Sequence, residues 1–178
     1  MFFYASYRLC LKKIAYFCTI IMKQPPIIPV LIGTGFGAGF WPWGPGTMGA
    51  ILATGIWFAL SAVLGGWGLS AVTGCLIVLF TILGTWATHQ LKPFWGNDPS
   101  RIVVDEMVGV WIPLMVATNW QQALIALVLF RFFDIVKPLG IRTLDRRKGA
   151  FWVMADDVLA GIYSLVVLVS VKYIFYYG

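Results

Sequence analysis

The sequence predicts an all-α integral membrane protein: a compact bundle of about five transmembrane helices, with a glycine-rich segment before the first span. Three observations carry this. Of 178 residues, 60% are hydrophobic and only 11% charged, about half the charge expected of a soluble domain. Mean hydropathy is +0.86. From Gln24 to Leu91 there is no Asp, Glu, Lys or Arg, whereas about 20 apolar residues of helix suffice to cross the hydrocarbon core. The 19 glycines and nine tryptophans fit the same class, because Gly lets membrane helices approach closely and Trp collects at the bilayer surface.

The elements follow in order. Residues 1–24 read as an N-terminal interfacial or extension segment: the apolar run Ile14 to Met22 lacks a charged leading region and a small-residue cleavage site. Met22 is an alternative start. Residues 25–178 read as one membrane-embedded domain. Pro25, Pro26 and Pro29 end the N-terminal segment, and the glycine-rich stretch Gly33 to Ala50 follows, either re-entrant or lying along the surface. A first span is expected over 48–64, with Thr47 as its N-cap and Pro45 just outside. Gly65 and Gly66 make the turn to a second span, 69–88. A polar loop from His89 to Arg101 leads to a third span, 102–117, and a fourth covers 122–136. A basic loop from Lys137 to Lys148 precedes the fifth, 154–176. Cys10, Cys18 and Cys75 lie in apolar surroundings without CxxC spacing and read as buried structural thiols.

Charge orients the bundle. Lys23, Lys92, Arg101, Lys137, Arg142, Arg146, Arg147 and Lys148 fall on one set of connections, and the turns around Gly65 and Asn119 carry none. The positive-inside rule then puts the basic loops in the cytoplasm and the C-terminus outside. Lys172 is the misfit, and it is expected to snorkel. The net charge of +6 therefore points to topology and an anionic lipid bilayer, not to nucleic acid.

On this topology all seven acids, Asp98, Asp105, Glu106, Asp134, Asp145, Asp156 and Asp157, face the cytoplasmic side. Asp105 and Glu106 precede the outer turn near Trp120 by about as many residues as Asp134 follows it, so an antiparallel hairpin sets them at equal depth. Asp156 and Asp157 open the next span at the same level. Carboxylates gathered at a membrane boundary repel one another and lose hydration unless something positive joins them. A hard divalent cation with oxygen ligands answers that need. For Asp134, flanked by Arg131 and Lys137, an ordinary ion pair explains the residue equally well.

The glycine-rich stretch offers the other half of a phosphate site, since its backbone N–H groups can approach an anion and Thr47 adds a hydroxyl at a helix start. Close packing of helices is the competing explanation. Arg131, Lys137 and Arg142 can hold phosphate oxygens or simply set topology. His89 is the single histidine, so no pair of histidines can serve as nucleophile and general acid.

Four blocks in this order and spacing, GFGAGFWPWGPGTMGA, IVVDEMVGVWIPL, FRFFDIVKP and MADDVLAG, resemble the phosphatidylglycerophosphatase A family over roughly Ile32 to Ser164. The resemblance implies hydrolysis of the terminal phosphate monoester of phosphatidylglycerophosphate, with Mg2+ as cofactor, at the cytoplasmic face of a bacterial inner membrane. It points to Gly46 and Thr47 as phosphate-binding residues, Arg131 and Lys137 beside them, and Asp105, Glu106, Asp134, Asp156 and Asp157 as catalytic and metal-binding acids. Departures from the family pattern are Ala50 for a Ser after PGTxG, Gly140 for the second proline of KPxP, and Phe151 and Trp152 in the approach to the acidic pair. Two chemistries stay open, a metal-activated water and an aspartyl-phosphate intermediate.

The competing class is an ion-coupled transporter or channel using the same carboxylates. Against it, the acids lie at one face and no inverted repeat is evident. A structural membrane subunit would leave the acids without a purpose, and the DG…AR…G…D…D pattern of alcohol phosphotransferases is missing.

Overall fold

A computed structural model describes residues 24–96, 100–138, 140–142 and 149–177 of the chain. Cys10, Cys18, Asp98, Asp145 and the segment before Gln24 lie outside the described residues, as does most of the basic loop. The described chain is helical, without strands: α1 (Ile27–Gly33), a 3-10 turn (Ala38–Phe40), α2 (Pro45–Ser61), α3 (Gly66–Trp95), α4 (Val104–Leu114), α5 (Trp120–Val136) and α6 (Ala150–Tyr177).

Two helices, α3 and α6, are long and apolar enough to cross a membrane, and α2 is a shorter apolar helix. The expected spans differ from these elements in instructive ways. The second span does not stop at Thr88. It continues through the expected polar loop to Trp95 with Pro93 in its last turn. The reason is a buried face at helical spacing, Gly84, Ala87, Thr88 and Leu91, which keeps the helix docked while His89, Gln90 and Lys92 point outward.

The third span shrinks to the 11 residues of α4, about 16 Å at helical rise and roughly half a hydrocarbon core. Every residue of α4 but Glu106 is buried. A helix that is apolar all round belongs at the centre of a bundle, and α4 is packed there by α2, α3, α5 and α6. Trp111 fixes its depth, donating from Nε1 to the Ala53 carbonyl of α2 at 2.9 Å. Around it close Ala50, Ala53, Trp57, Phe130, Ala160 and Leu168.

At the start of α2 the expected cap is also displaced. Pro45 is the first helical residue and Gly44, in the left-handed region with φ 78°, is the N-cap, so Thr47 lies inside the first turn with no capping hydrogen bond. Proline suits that position because the first N–H groups of a helix have no partner to lose. The glycine-rich stretch begins where α1 ends, at Gly33, and contains the 3-10 turn; α1 packs on α3 and the Val103 N–H donates to the Gly33 carbonyl.

Two smaller expectations change. Cys75 is exposed on α3. Lys172 is half-buried and turned inward, donating to the Val116 carbonyl at 2.7 Å, where it neutralises the negative end of α4.

Candidate active site

Four helix termini meet at one end of the bundle: the starts of α2, α4 and α6 and the end of α5. Asp105 and Glu106 occupy the first turn of α4, where the helix dipole favours negative charge, and the Glu106 N–H donates to Asp105 Oδ1 at 3.1 Å. Asp156 and Asp157 sit near the start of α6 and, with Asp105, are buried at 5–6% exposure. One carboxylate oxygen from each of Asp105, Glu106 and Asp157 lies within 4.8 Å of the others. Among the described residues, this is a group of acids that could hold a metal ion.

The backbone explains how acids of two helices come so close. One helical turn beyond Asp105 stands Gly109, and one turn beyond Asp157 stands Gly161. A Cβ at Gly161 would collide with the Gly109 carbonyl oxygen, and a Cβ at Gly109 would come 2.8 Å from the Asp157 carbonyl oxygen. The two helices therefore touch backbone to backbone directly below the carboxylates. This pair was missed by the sequence reading, although its signal was available: each acidic pair is followed by a glycine on the same helical face.

A second glycine contact brings in α2. A Cβ at Gly46 would run into the Glu106 carboxylate and approach Arg131 Nη1 at 3.2 Å. The N-terminus of α2, with Gly46 and half-buried Thr47, is thus set against the acidic cluster and its nearest cation. The Met48 N–H is the first in α2 to reach back to Gly44, which leaves the N–H groups before it directed out of the helix.

Arg131 and Asp134, three residues apart on α5, pair at 2.5 Å. Lys137, at the left-handed C-cap of α5 with φ 48°, bridges to Asp156 of α6 at 2.9 Å. These contacts bring Asp105, Glu106, Asp134, Asp156 and Asp157 to one end of the bundle. Arg142 is different. It is exposed and donates to the Val136 carbonyl at 3.3 Å, capping α5.

The residues fit a divalent cation. Asp105, Glu106, Asp134, Asp156 and Asp157 bring five carboxylates, against the two cations Arg131 and Lys137 engaged with them. Moreover, Glu106 Oε2 is buried without a hydrogen-bond partner. A buried carboxylate oxygen with no donor is costly unless a cation meets it, and a hard metal bound through oxygens would do so. A cavity of about 650 Å³ lined by Trp57, Ser61, Trp67, Ser70, Met115 and Trp120 lies at the opposite ends of the same helices and shares no residue with this cluster.

Comparison with known proteins agrees with the geometry. The family model for phosphatidylglycerophosphatase A matches residues 31–172. A Bacteroides thetaiotaomicron protein, named provisionally as a phosphatidylinositol-3-phosphatase, is 53% identical over 157 residues, covering 86% of this chain and 99% of its own. The phosphatidylglycerophosphatase A of Escherichia coli K12 is 35% identical over 78% of this chain and 80% of its own. That of Haemophilus influenzae is 37% identical over 80% and 88%. No solved structure matches. With the match running through all four motif blocks and every helix from α2 to α6, the chain belongs to the phosphatidylglycerophosphatase A family and is a phosphatase acting on a phosphate monoester.

Proposed function

We propose that the chain is a Mg2+-dependent lipid phosphatase of the bacterial inner membrane. In this reading it hydrolyses phosphatidylglycerophosphate to phosphatidylglycerol and phosphate at the cytoplasmic face, within a single multi-pass domain spanning 25–178. The observation that carries it is the convergence of Asp105, Glu106 and Asp157 beside the N-terminus of α2 and Arg131.

Asp105, Glu106 and Asp157 would hold the cation, which when bound polarises the phosphate and lowers the pKa of an attacking water. The chain's own groups do the rest. The N–H groups at Gly46 and Thr47 donate to phosphate oxygens at the positive end of α2. Arg131 and Lys137 offset charge on the transferring phosphoryl group, and Asp134 and Asp156 hold those cations in place through their ion pairs. Arg142, turned to the α5 carbonyl, stands outside this set. The acyl chains stay in the bilayer while the head group enters at the cluster.

The 53% identical relative favours a second head group, a phosphoinositide monoester. Both lipids present a terminal monoester to the same chemistry, so one assay decides between them. Phosphate release by the purified protein in detergent is measured on phosphatidylglycerophosphate and on phosphatidylinositol 3-phosphate, with Mg2+ or with EDTA, alongside Asp105→Asn and Asp157→Asn. The expected result is faster release from phosphatidylglycerophosphate, abolished by EDTA and reduced about 100-fold or more in both variants. Preference for the inositol lipid would move the assignment to that head group. No release from either by folded protein would overturn the phosphatase reading and favour an ion-coupled transporter.

A further inference from the structure

Arg101 was set aside in the sequence as one more topology-determining charge, yet it is held in a way that Arg131 and Lys137 are not. Its guanidinium lies over two aromatic rings, 5.8 Å from the centroid of Phe40 and 6.0 Å from that of Trp95, and those rings meet edge to face at 6.3 Å. The backbone is anchored as well. A Cβ at Gly39 would overlap the Arg101 carbonyl, and Ile102 and Val103 are buried beside it. Arg131 and Lys137 are paired with carboxylates. Arg101 appears in neither ion pair, and its side chain is exposed. Among the described residues it is therefore an oriented cation with no carboxylate paired to it.

Its position matters. Arg101 stands four positions before Asp105, so their Cα atoms are at most about 14 Å apart. In the segment that carries Phe40 and at the end of α3 further aromatic surface is exposed, at Phe36, Trp41, Trp43 and Phe94, and such rings collect at the head-group level of a bilayer. A flat guanidinium stacked on aromatic rings keeps its N–H fork free for a phosphate. We propose that Arg101 binds the phosphodiester of the lipid substrate while the acidic cluster takes the terminal monoester, making Arg101 a specificity-determining residue for lipids that carry both groups. This rests on the lipid-phosphatase reading. It applies to either candidate head group, because each carries a diester phosphate between the glycerol backbone and the scissile monoester.

The test is the Arg101→Gln variant, with Arg101→Lys beside it, assayed in mixed micelles on the diester-bearing lipid that the wild type hydrolyses. Phosphatidic acid, which has a monoester and no diester, is titrated as a competing ligand, and the melting temperature of each variant is recorded. Arg101→Gln is expected to raise KM for the diester-bearing lipid about tenfold, the size of one charge-assisted hydrogen bond. The inhibition constant of phosphatidic acid is expected to stay within about twofold. Arg101→Lys, which keeps the charge and loses the flat fork, should fall between. Equal weakening toward both lipids would mean that Arg101 serves only general attachment to an anionic surface and would overturn the proposal, as would no change toward either. Failure of the wild type to release phosphate from any lipid would instead sink the underlying phosphatase reading.

Discussion

At the scale of single residues, the site is a set of close approaches in which a missing side chain matters as much as a present one. Gly46 shows this most sharply. The atoms that an added Cβ would meet first are the Glu106 carboxylate and Arg131 Nη1, both at the far ends of flexible side chains. Gly46→Ala is therefore expected to leave the fold intact, because those ends can swing away, and to lower kcat by about 100-fold, since a displacement near 1 Å at reacting groups costs that much. Measuring kcat and the melting temperature together checks it. A melting temperature unchanged with activity lost is the expected pair, and full activity would show that Glu106 does not need its present position. The sequence already singled out Glu106 by its depth and Arg131 by its charge, and the family resemblance pointed to Gly46. It could not say that they touch, since that contact joins three helices far apart in the chain.

At the scale of elements, the crossing of α4 and α6 sets the spacing of the carboxylates. Gly109 and Gly161 meet there through backbone atoms, which cannot move aside as a side-chain end can. Gly161→Ala should accordingly behave in the opposite way to Gly46→Ala. It is expected to destabilise the protein by about 1–3 kcal/mol, the usual cost of overpacking a tight interface, and to lower activity by parting Asp157 from Asp105. Thermal unfolding in detergent reads the first effect, and a melting temperature equal to wild type would show that the helices part without cost. Helix existence was legible from apolar runs, and the hairpin argument set Asp105, Glu106 and Asp134 at matching depth. Helix limits were not. The α3 extension to Trp95 depends on Leu91 finding a buried place, and the shortness of α4 depends on its being enclosed on all sides. Both are properties of the packed bundle, and no local pattern encodes them.

For the whole molecule, charge and chemistry are polarised along the same axis. The acidic cluster, Lys137 and Arg101 gather where α2, α4 and α6 begin and α5 ends, while the turns after α2 and before α5, around Gly65 and Asn119, carry no Lys or Arg. Lys172 reaches that uncharged end but is turned inward to the Val116 carbonyl, so it adds little charge to the outer surface. On the positive-inside rule we propose that the acidic end faces the cytoplasm. This also matches the chemistry, since a lipid monophosphate made on the cytoplasmic side would meet the cluster without crossing the bilayer. Cysteine labelling checks the orientation directly. In a background lacking Cys10, Cys18 and Cys75, a cysteine placed at exposed Gly65 should react with a membrane-impermeant maleimide on intact spheroplasts. One placed at exposed Arg142 should react only after lysis. Arg142 is the better choice at that end because it lies outside the proposed phosphate set and caps α5 through a single hydrogen bond, so its loss should cost roughly 1 kcal/mol. The reverse labelling pattern would put the acidic cluster outside the cell and require a substrate presented from that leaflet.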